Sequence, residues 1–368
     1  MKINIEQSIL NKYVNIVQRG TSLRTSLPIL EGILLEAKNG KLKLTSTDLE
    51  IGIETFIKCS VEEEGSIVIN SRIFGDIIRK LPNDKIYIST IENKICIKCG
   101  SAEFNIIGNS SLEYPELPTI TDNFSIKISA DLFKSAIRQT IFATAQDETR
   151  PILTGILFEV TKDKASFVAL DGYRLALRNI LVKSPQNVKI VVPSKTLNEL
   201  SKILEDEESS LTITLTSSHI VFNLGETLVY SRLLEGQYLN YKDIIRKEHK
   251  TQVIVNRKLF QDGLERASLL AKEEKTNLIK INILDGKMVI KSNSEIGSVY
   301  EEVPIENKGE DLNIAFNSKY IIDGIKAIDA DKIQLNFMGS LNPCIINPID
   351  DSEYTYLVLP VRLAKEDY

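Results

Sequence analysis

The chain has 368 residues, of which 43% are hydrophobic and 26% are charged, and it contains no tryptophan. That length predicts two or three domains, and no apolar run approaches the roughly 18 residues that a membrane-spanning helix needs. The formal net charge of −5 argues by itself against nucleic acid, whereas the four cysteines and the absence of a signal peptide at the N-terminus favour a protein of the reducing cytoplasm.

A short segment occurs three times along the chain at nearly constant spacing. Each copy consists of an apolar strand, a serine and the start of a helix; the copies are Ile67–Phe74, Ile190–Leu197 and Ile314–Ile321. We predict that the serine caps the helix in each copy. These serines, 123 and 124 residues apart, are Ser71, Ser194 and Ser318. A repeat of this length predicts three similar domains, over residues 1–121, 122–248 and 249–368.

Each repeat is predicted to contain two helices and several strands. The first helices cover residues 8–19, 131–145 and 256–270, and the second helices cover residues 71–80, 194–204 and 318–328. Runs with a period of two residues, such as Lys85–Ser89 and Leu211–Leu215, predict strands. The sequence therefore predicts an α+β fold in which three repeats pack helices on antiparallel sheets.

The charges are distributed unevenly along the sequence. All six predicted helices carry a net positive charge, while acidic residues gather in Glu62–Glu64, Glu205–Glu208 and Glu301–Glu302. Lysine and arginine are also good helix formers that favour exposed faces, so an ordinary solvated surface is the alternative. We interpret the pattern as a basic surface lined by helices, which would attract phosphates without distinguishing bases and would be sensitive to salt.

Motifs for catalysis or metal binding are sparse in the sequence. Its two histidines have no partner motif, and there is no glycine-rich phosphate loop, HExxH or GxSxG pattern. Cys96 and Cys99 form a CxxC, but they lie in an alternating strand pattern without a second pair, which disfavours a metal or redox site. We predict no catalytic residue, no metal and no cofactor; an enzyme that uses Asp171 or Arg174 is the competing class.

Two segments differ from the corresponding parts of the other repeats. Leu170–Leu175 combines an Asp-Gly turn with an aromatic residue, a cation and a leucine. Near the end of the chain, Tyr356–Leu363 is an apolar strand interrupted by Pro360. A proline at this place is typical of an edge strand, but such a segment can also form one wall of a groove for a peptide.

The chain resembles the bacterial sliding clamps, the beta subunits of DNA polymerase III, over nearly its full length. The most specific matching motifs are Ser26–Leu30, Thr45–Glu50, Leu170–Ala176 and Leu359–Leu363. The resemblance implies a head-to-tail homodimer of three-domain chains, closed into a ring with helices lining the hole and sheets outside. It implies a non-catalytic processivity factor of DNA replication, which encircles double-stranded DNA, independently of sequence, and slides along it.

The resemblance also implies a DNA-facing surface and a dimer contact. The DNA-facing residues are Arg24, Arg72, Arg79, Lys195 and, in the loop near Asp147, Arg150. The dimer contact would join the first domain of one chain to the third domain of the other. Leu269 and Leu270 would lie at its apolar centre, against the strand around Phe104 and Ile106. Alternatively, both leucines belong to the core of their own helix.

A third implied site is a pocket for short peptides with a Gln-Leu-x-Leu-Phe-like motif. The polymerase III alpha subunit, the clamp loader and other replication or repair proteins would carry such peptides. The matching residues are Leu153, Leu170, Gly172, Tyr173, Arg174, Leu175, Leu239, Ile244, Leu357, Leu359, Pro360, Val361 and Arg362, with Asn317 and Tyr320 as a flanking subsite for the glutamine. A concave apolar site with few polar groups suits this role.

The chain departs from the family pattern near this pocket. Leu239 occupies a position where a proline is common, and Asp243 one where many members have a basic or neutral residue. The chain also continues past Leu363 with Ala364–Tyr368. These departures concern peptide affinity rather than fold. The tail leaves open the alternative of a clamp-like paralogue that binds peptides but does not serve replication.

Overall fold

The computed structural model describes residues 1–22, 25–119, 124–147, 149–204, 210–246, 248–273 and 277–362. The first third of the chain contains α1 (Gln7–Val17), α2 (Ser71–Lys80), β1 (Lys2–Glu6), β2 (Gly32–Lys38), β3 (Lys41–Thr47), β4 (Ile51–Lys58), β5 (Ser60–Glu63), β6 (Gly65–Asn70), β7 (Lys85–Ile91), β8 (Lys94–Cys99) and β9 (Ala102–Ile107).

The middle and last thirds repeat this pattern. The middle third contains α3 (Ala130–Thr140), α4 (Ser194–Ile203), β10 (Ser125–Ser129), β11 (Gly155–Val160), β12 (Lys164–Leu170), β13 (Arg174–Leu181), β14 (Val188–Pro193), β15 (Ser210–Leu215), β16 (His219–Asn223) and β17 (Thr227–Arg232). The last third contains α5 (Arg257–Ala271), α6 (Ser318–Lys326), β18 (Thr251–Asn256), β19 (Leu278–Leu284), β20 (Lys287–Ser294), β21 (Gly297–Lys308), β22 (Leu312–Asn317), β23 (Lys332–Phe337), β24 (Cys344–Pro348) and β25 (Tyr354–Val358).

The helices form close to where the sequence predicts them, but the predicted caps of α2 and α6 are wrong by one residue. Asn70 caps α2, because its side-chain oxygen accepts a hydrogen bond from the backbone N–H of Ile73 at 3.1 Å. Asn317 caps α6 in the same way, accepting from Lys319 at 3.0 Å. The predicted caps Ser71, Ser194 and Ser318 are instead the first residues of α2, α4 and α6. Asparagine caps a helix about as well as serine, so the local sequence of α2 and of α6 allows either assignment.

The first of two compact units comprises Met1–Asp131 and Glu199–Leu233. It contains a five-stranded sheet of order β5-β1-β7-β8-β9 and an eight-stranded sheet of order β10-β15-β16-β17-β4-β3-β2-β6. In the larger sheet β17 pairs antiparallel with β4, with Val229 opposite Ile53. Strands of the first and second repeats therefore belong to one continuous sheet.

The second compact unit comprises Leu132–Asn198 and the described residues from Leu234 onward. Its sheet has the order β14-β11-β12-β13-β25-β24-β23-β18-β21-β20-β19-β22. β25 pairs with β13 on one side and with β24 on the other. The edge-strand alternative for the C-terminal segment is therefore wrong: Pro360 lies beyond the end of β25, so its missing N–H removes no hydrogen bond from the sheet.

No helix in the described ranges is long and apolar enough to cross a membrane.

The cysteines of the CxxC lie on β8, as the alternating pattern predicts, and both are free thiols. Burial raises the pKa of the Cys99 thiol, which makes this side chain a poor nucleophile at neutral pH. Among the described residues no group of three or more His, Cys, Asp or Glu side chains is placed to hold a metal ion.

Candidate functional site

Part of the predicted peptide pocket lies on one row of side chains across the sheet of the second unit. Leu170, Leu175, Leu357 and Ile345 are successive cross-strand neighbours on β12, β13, β25 and β24. Such neighbours project from the same face of a sheet. Leu153 packs against this row, and it, like the three leucines, is only 2–3% exposed. These residues form an apolar floor rather than an open surface.

The segment that follows β17 covers this floor and is held there by two tyrosines. The Tyr238 hydroxyl donates a hydrogen bond to the carbonyl of Val168 at 3.1 Å, and the Tyr241 hydroxyl donates to the carboxylate of Glu159 at 2.7 Å. Burial raises the pKa of both tyrosines, so the hydroxyls remain protonated donors. Burial also raises the pKa of Glu159, but hydrogen bonds from Tyr241 and Lys242 lower it by more, and the carboxylate stays charged.

Four predicted pocket residues carry exposed apolar surface and form the rim. Tyr173, Leu239, Ile244 and Leu359 are between 37% and 60% exposed. The backbone N–H of Leu359 donates to the carbonyl of Tyr173 at 2.8 Å, which brings the C-terminal segment beside the turn between β12 and β13. An exposed apolar rim next to a buried apolar floor is what a peptide with large apolar side chains requires.

Arg174 organises this turn from a nearly buried position. Its Nε lies 3.0 Å from Asp171 and its Nη1 lies 2.8 Å from Asp323. The guanidinium also lies 4.6 Å from the ring centroid of Tyr320, and that ring stacks on Tyr173 at 5.8 Å. Burial lowers the pKa of Arg174, but the bonds and charges of the two carboxylates raise it by more. The charges of Asp171 and Arg174 are thus used in holding the rim in place.

The other predicted pocket residues lie in the turn between β12 and β13, before α6 and after β25, and several of them have identifiable structural roles. Gly172 adopts φ +95°, a conformation that favours glycine. Asn317 caps α6, so its side-chain oxygen already accepts a backbone hydrogen bond. The backbone N–H of Val361 donates to the carbonyl of Ala315 at 2.8 Å. Arg362 is exposed. The tail Ala364–Tyr368 lies outside the described residues.

A cavity of about 260 Å³ opens at one end of the apolar row. Its apolar lining comes from Ile244, Met338, Pro343, Ile345 and Leu357. The polar lining residues are Asp243, Arg246, Glu248, Asn336 and Asn342. The prediction includes Ile244 and Leu357 but misses the three other apolar residues. Only the pairing of β24 with β25 brings Ile345 beside Leu357, and strand pairing is not apparent in a single sequence.

The predicted DNA-facing residues that the structure describes are all exposed. Arg72 and Arg79 lie two turns apart on α2, in the first unit, and Arg79 pairs with the carboxylate of Asp76. Lys195 lies at the start of α4, and Arg150 precedes the short helix before β11; both belong to the second unit. Arg24 lies outside the described residues.

The predicted dimer residues lie on two different elements. Phe104 and Ile106 lie on β9, the edge strand of the five-stranded sheet, and Phe104 is 39% exposed. Leu269 is 64% exposed on α5, whereas Leu270 is half-buried. Leu269 is therefore not a core residue of its own helix. The prediction did not include Ile107, the neighbour on β9, which is 80% exposed.

Three family models match successive parts of the chain. They are the N-terminal, central and C-terminal domains of the DNA polymerase III beta subunit, which match residues 1–118, 127–240 and 242–362. The beta sliding clamp of Bacillus subtilis (strain 168) is 38% identical over 98% of this chain and 100% of its own length. That of Staphylococcus epidermidis (strain RP62A) is 37% identical over 98% of this chain and 99% of its own length.

Solved structures agree with the sequence relatives. The DNA polymerase sliding clamp of Bacillus subtilis superposes with a TM-score of 0.96 at 38% identity, covering 99% of this chain and 100% of its own. A putative DNA polymerase III beta subunit from Eubacterium rectale gives a TM-score of 0.95 at 39% identity, with the same coverage. The fold is thus an α+β architecture of three clamp domains built on antiparallel sheets, which confirms the predicted fold class. The chain belongs to the DNA polymerase III beta subunit family, the bacterial sliding clamps, and this is a family of non-catalytic subunits.

Proposed function

We propose that this protein is the sliding clamp of a bacterial replication system, acting in the cytoplasm as a DNA polymerase processivity factor. Two chains, each with domains over residues 1–121, 122–248 and 249–368, assemble head to tail into a ring around double-stranded DNA. The ring slides on DNA and tethers the polymerase III alpha subunit, the clamp loader and other proteins that carry the clamp-binding motif. The observation that carries the proposal is the similarity to bacterial sliding clamps across all three domains.

The proposed dimer is supported by apolar surface and by strand edges of the single chain. Phe104 and Ile107 expose apolar side chains on β9, an edge strand whose free backbone groups can extend a second sheet. In the described chain β21 pairs with β20 through residues 297–304, but with β18 only through residues 305–308. Joining β9 of one chain to the free edge of β21 of the other would also bury the exposed Leu269.

The proposed DNA contacts are arginine and lysine side chains at the surface of the ring hole. Arg72, Arg79, Arg150 and Lys195 are exposed, as such contacts require, and Arg24 is proposed from its position in the sequence alone. These cations would meet phosphates without distinguishing bases. Because a closed ring stays on DNA by topology, a chain with a net charge of −5 does not need tight phosphate contacts.

The proposed peptide site combines the buried floor, the exposed rim and the cavity beside Ile244 and Leu357. The leucine and phenylalanine of the peptide would enter the apolar part of this site. Each would contribute about 1.5–3 kcal/mol through burial. Asn317 and Tyr320 would meet the glutamine at the other end of the peptide.

The direct test is fluorescence anisotropy of a labelled Gln-Leu-Ser-Leu-Phe peptide titrated with the full-length protein. We expect saturable binding, and no saturation with a matched Gln-Ala-Ser-Ala-Ala peptide, because alanine cannot fill the apolar site. Failure of the first peptide to bind at protein concentrations up to the millimolar range would overturn the tethering role.

A further inference from the structure

We propose that the mouth of the cavity selects peptides that carry a lysine or arginine next to their apolar anchor, with Asp243 as the main determinant. This inference rests on the proposed peptide-binding function and names the class of partner that this chain prefers. It follows from where Asp243 is held, from which charges surround it and from the size of the cavity.

The backbone holds Asp243 at the mouth of the cavity. The residue ends the short 3-10 helix Tyr241–Asp243, and its side-chain oxygen accepts a hydrogen bond from Asn240 at 2.7 Å. The Tyr241 hydroxyl, bonded to Glu159 at 2.7 Å, ties this helix to the sheet. Ile244 is the next residue and lines the cavity together with Asp243. The carboxylate is thus carried at a fixed place directly beside the apolar lining.

The nearest cation in the sequence does not neutralise this carboxylate. Lys242 lies 3.0 Å from the carboxylate of Glu159 and 5.4 Å from the ring centroid of Tyr241, so its charge is already paired elsewhere. Among the described residues that line the cavity, Asp243 and Glu248 are acidic and Arg246 is basic. The described part of the lining therefore carries one more negative than positive charge, which favours a cationic residue in the occupant.

The size of the cavity determines which part of a peptide meets this charge. A volume of about 260 Å³ exceeds the roughly 150 Å³ of an apolar cavity that holds benzene, so a leucine or phenylalanine side chain fits inside. Once that side chain is anchored against Ile244, Ile345 and Leu357, the adjoining peptide residue lies at the mouth. An exposed ion pair there changes affinity by about twofold to fivefold, and a like charge has the opposite effect.

The experiment compares Gln-Leu-Ser-Leu-Phe-Lys with Gln-Leu-Ser-Leu-Phe-Glu by anisotropy with the full-length protein at low salt. We expect the lysine peptide to bind about fivefold more tightly, with a smaller difference at about 0.5 M salt because added ions screen an exposed pair. Asp243→Lys should remove or invert the preference. Asp285→Lys is the matched control, because Asp285 is exposed in the turn between β19 and β20 and receives the same change of charge.

The outcomes separate this inference from the proposed function. If both peptides bind equally well, charge selection is overturned while the peptide site stands. If neither binds, the peptide-binding function itself fails. The inference would also be overturned if Asp285→Lys reduced the preference for the lysine peptide as much as Asp243→Lys does. The preference would then depend on the total charge of the chain and not on Asp243. Arg246→Gln removes the opposing cation and should therefore increase the ratio of the two peptide affinities in favour of the lysine peptide. A smaller ratio than in the parent would count against the proposal.

Discussion

The residues of the predicted peptide pocket differ in how much of their surface is exposed. Leu153 and Leu170 are buried in the floor, whereas Leu359 and Tyr173 expose much of their surface at the rim. Leu153 and Leu170 belong to the buried cluster that contains Tyr238, whereas Tyr173 lies in the turn after β12 and Leu359 lies beyond the end of β25. Substitutions in the floor will therefore affect folding, and substitutions in the rim will affect binding.

Leu359→Asp tests the rim directly. Leu359 is 37% exposed, so a carboxylate at this position remains solvated in the free protein but would meet the apolar side chains of a bound peptide. We expect peptide affinity to fall more than tenfold, measured by anisotropy, with the dimer unchanged in light scattering. Leu181→Asp is the matched control, since Leu181 is 81% exposed at the end of β13. Unchanged binding by Leu359→Asp would remove this residue from the pocket.

The sequence indicates residues of the proposed peptide site only where neighbouring residues along the chain form a recognisable motif. The Leu170–Leu175 motif stands out within one short segment, and the structure shows why, since Gly172 needs φ +95° and Arg174 pairs with Asp171. Ile345, in contrast, lines the cavity only because its strand pairs with β25. No nearby sequence signal reveals such a pairing.

Helices and sheets likewise differ in how far the sequence predicts them, because helices depend on local patterns and sheets on distant pairings. Five of the six predicted helices have their ends within two residues of the observed ones, and the predicted end of α3 is five residues too late. This agreement is possible because the spacing of apolar residues along a helix is a local pattern. The joining of repeats into shared sheets was not predicted. It depends on pairs such as Ile53 with Val229 and Leu175 with Leu357, which are more than 170 residues apart in the chain. For this reason the middle repeat contributes strands to both compact units.

The N-cap of α2, Asn70, gives a testable prediction about stability. Asn70→Ala removes the side-chain oxygen that accepts from the Ile73 N–H, and should lower the free energy of unfolding by about 1 kcal/mol. Asn70→Ser should retain most of the stability, because serine is also a good cap. Urea denaturation of the three proteins provides the measurement. An alanine variant as stable as the parent would show that this cap contributes little.

For the whole molecule, the central question is how an acidic chain works on DNA. The net charge of −5 coexists with helices that are all positively charged, and exposed cations such as Arg72 and Lys195 lie on them. The proposed closed ring would account for both facts, because topology would then take the place of tight binding to phosphates. In that proposal, attachment to DNA depends on the dimer contact.

Leu269→Asp tests that contact. Leu269 is 64% exposed on α5, so aspartate should be tolerated in the single chain but should place a charge at the apolar centre of the proposed interface. Light scattering should give about twice the chain mass of 41.3 kDa for the parent and a mass close to one chain for the variant. Leu181→Asp should remain dimeric. A Leu269→Asp variant that dimerises like the parent would exclude Leu269 from the interface.

Topological attachment is tested most directly by cutting the DNA. The protein is loaded on a nicked circular plasmid by the clamp loader, unbound protein is removed by gel filtration in high salt, and the plasmid is then cut once. A closed ring that slides should stay on the circle and leave once free ends exist, so we predict retention before the cut and loss after it. Equal retention on circular and linear DNA would contradict encirclement and would mean that direct phosphate contacts hold the protein.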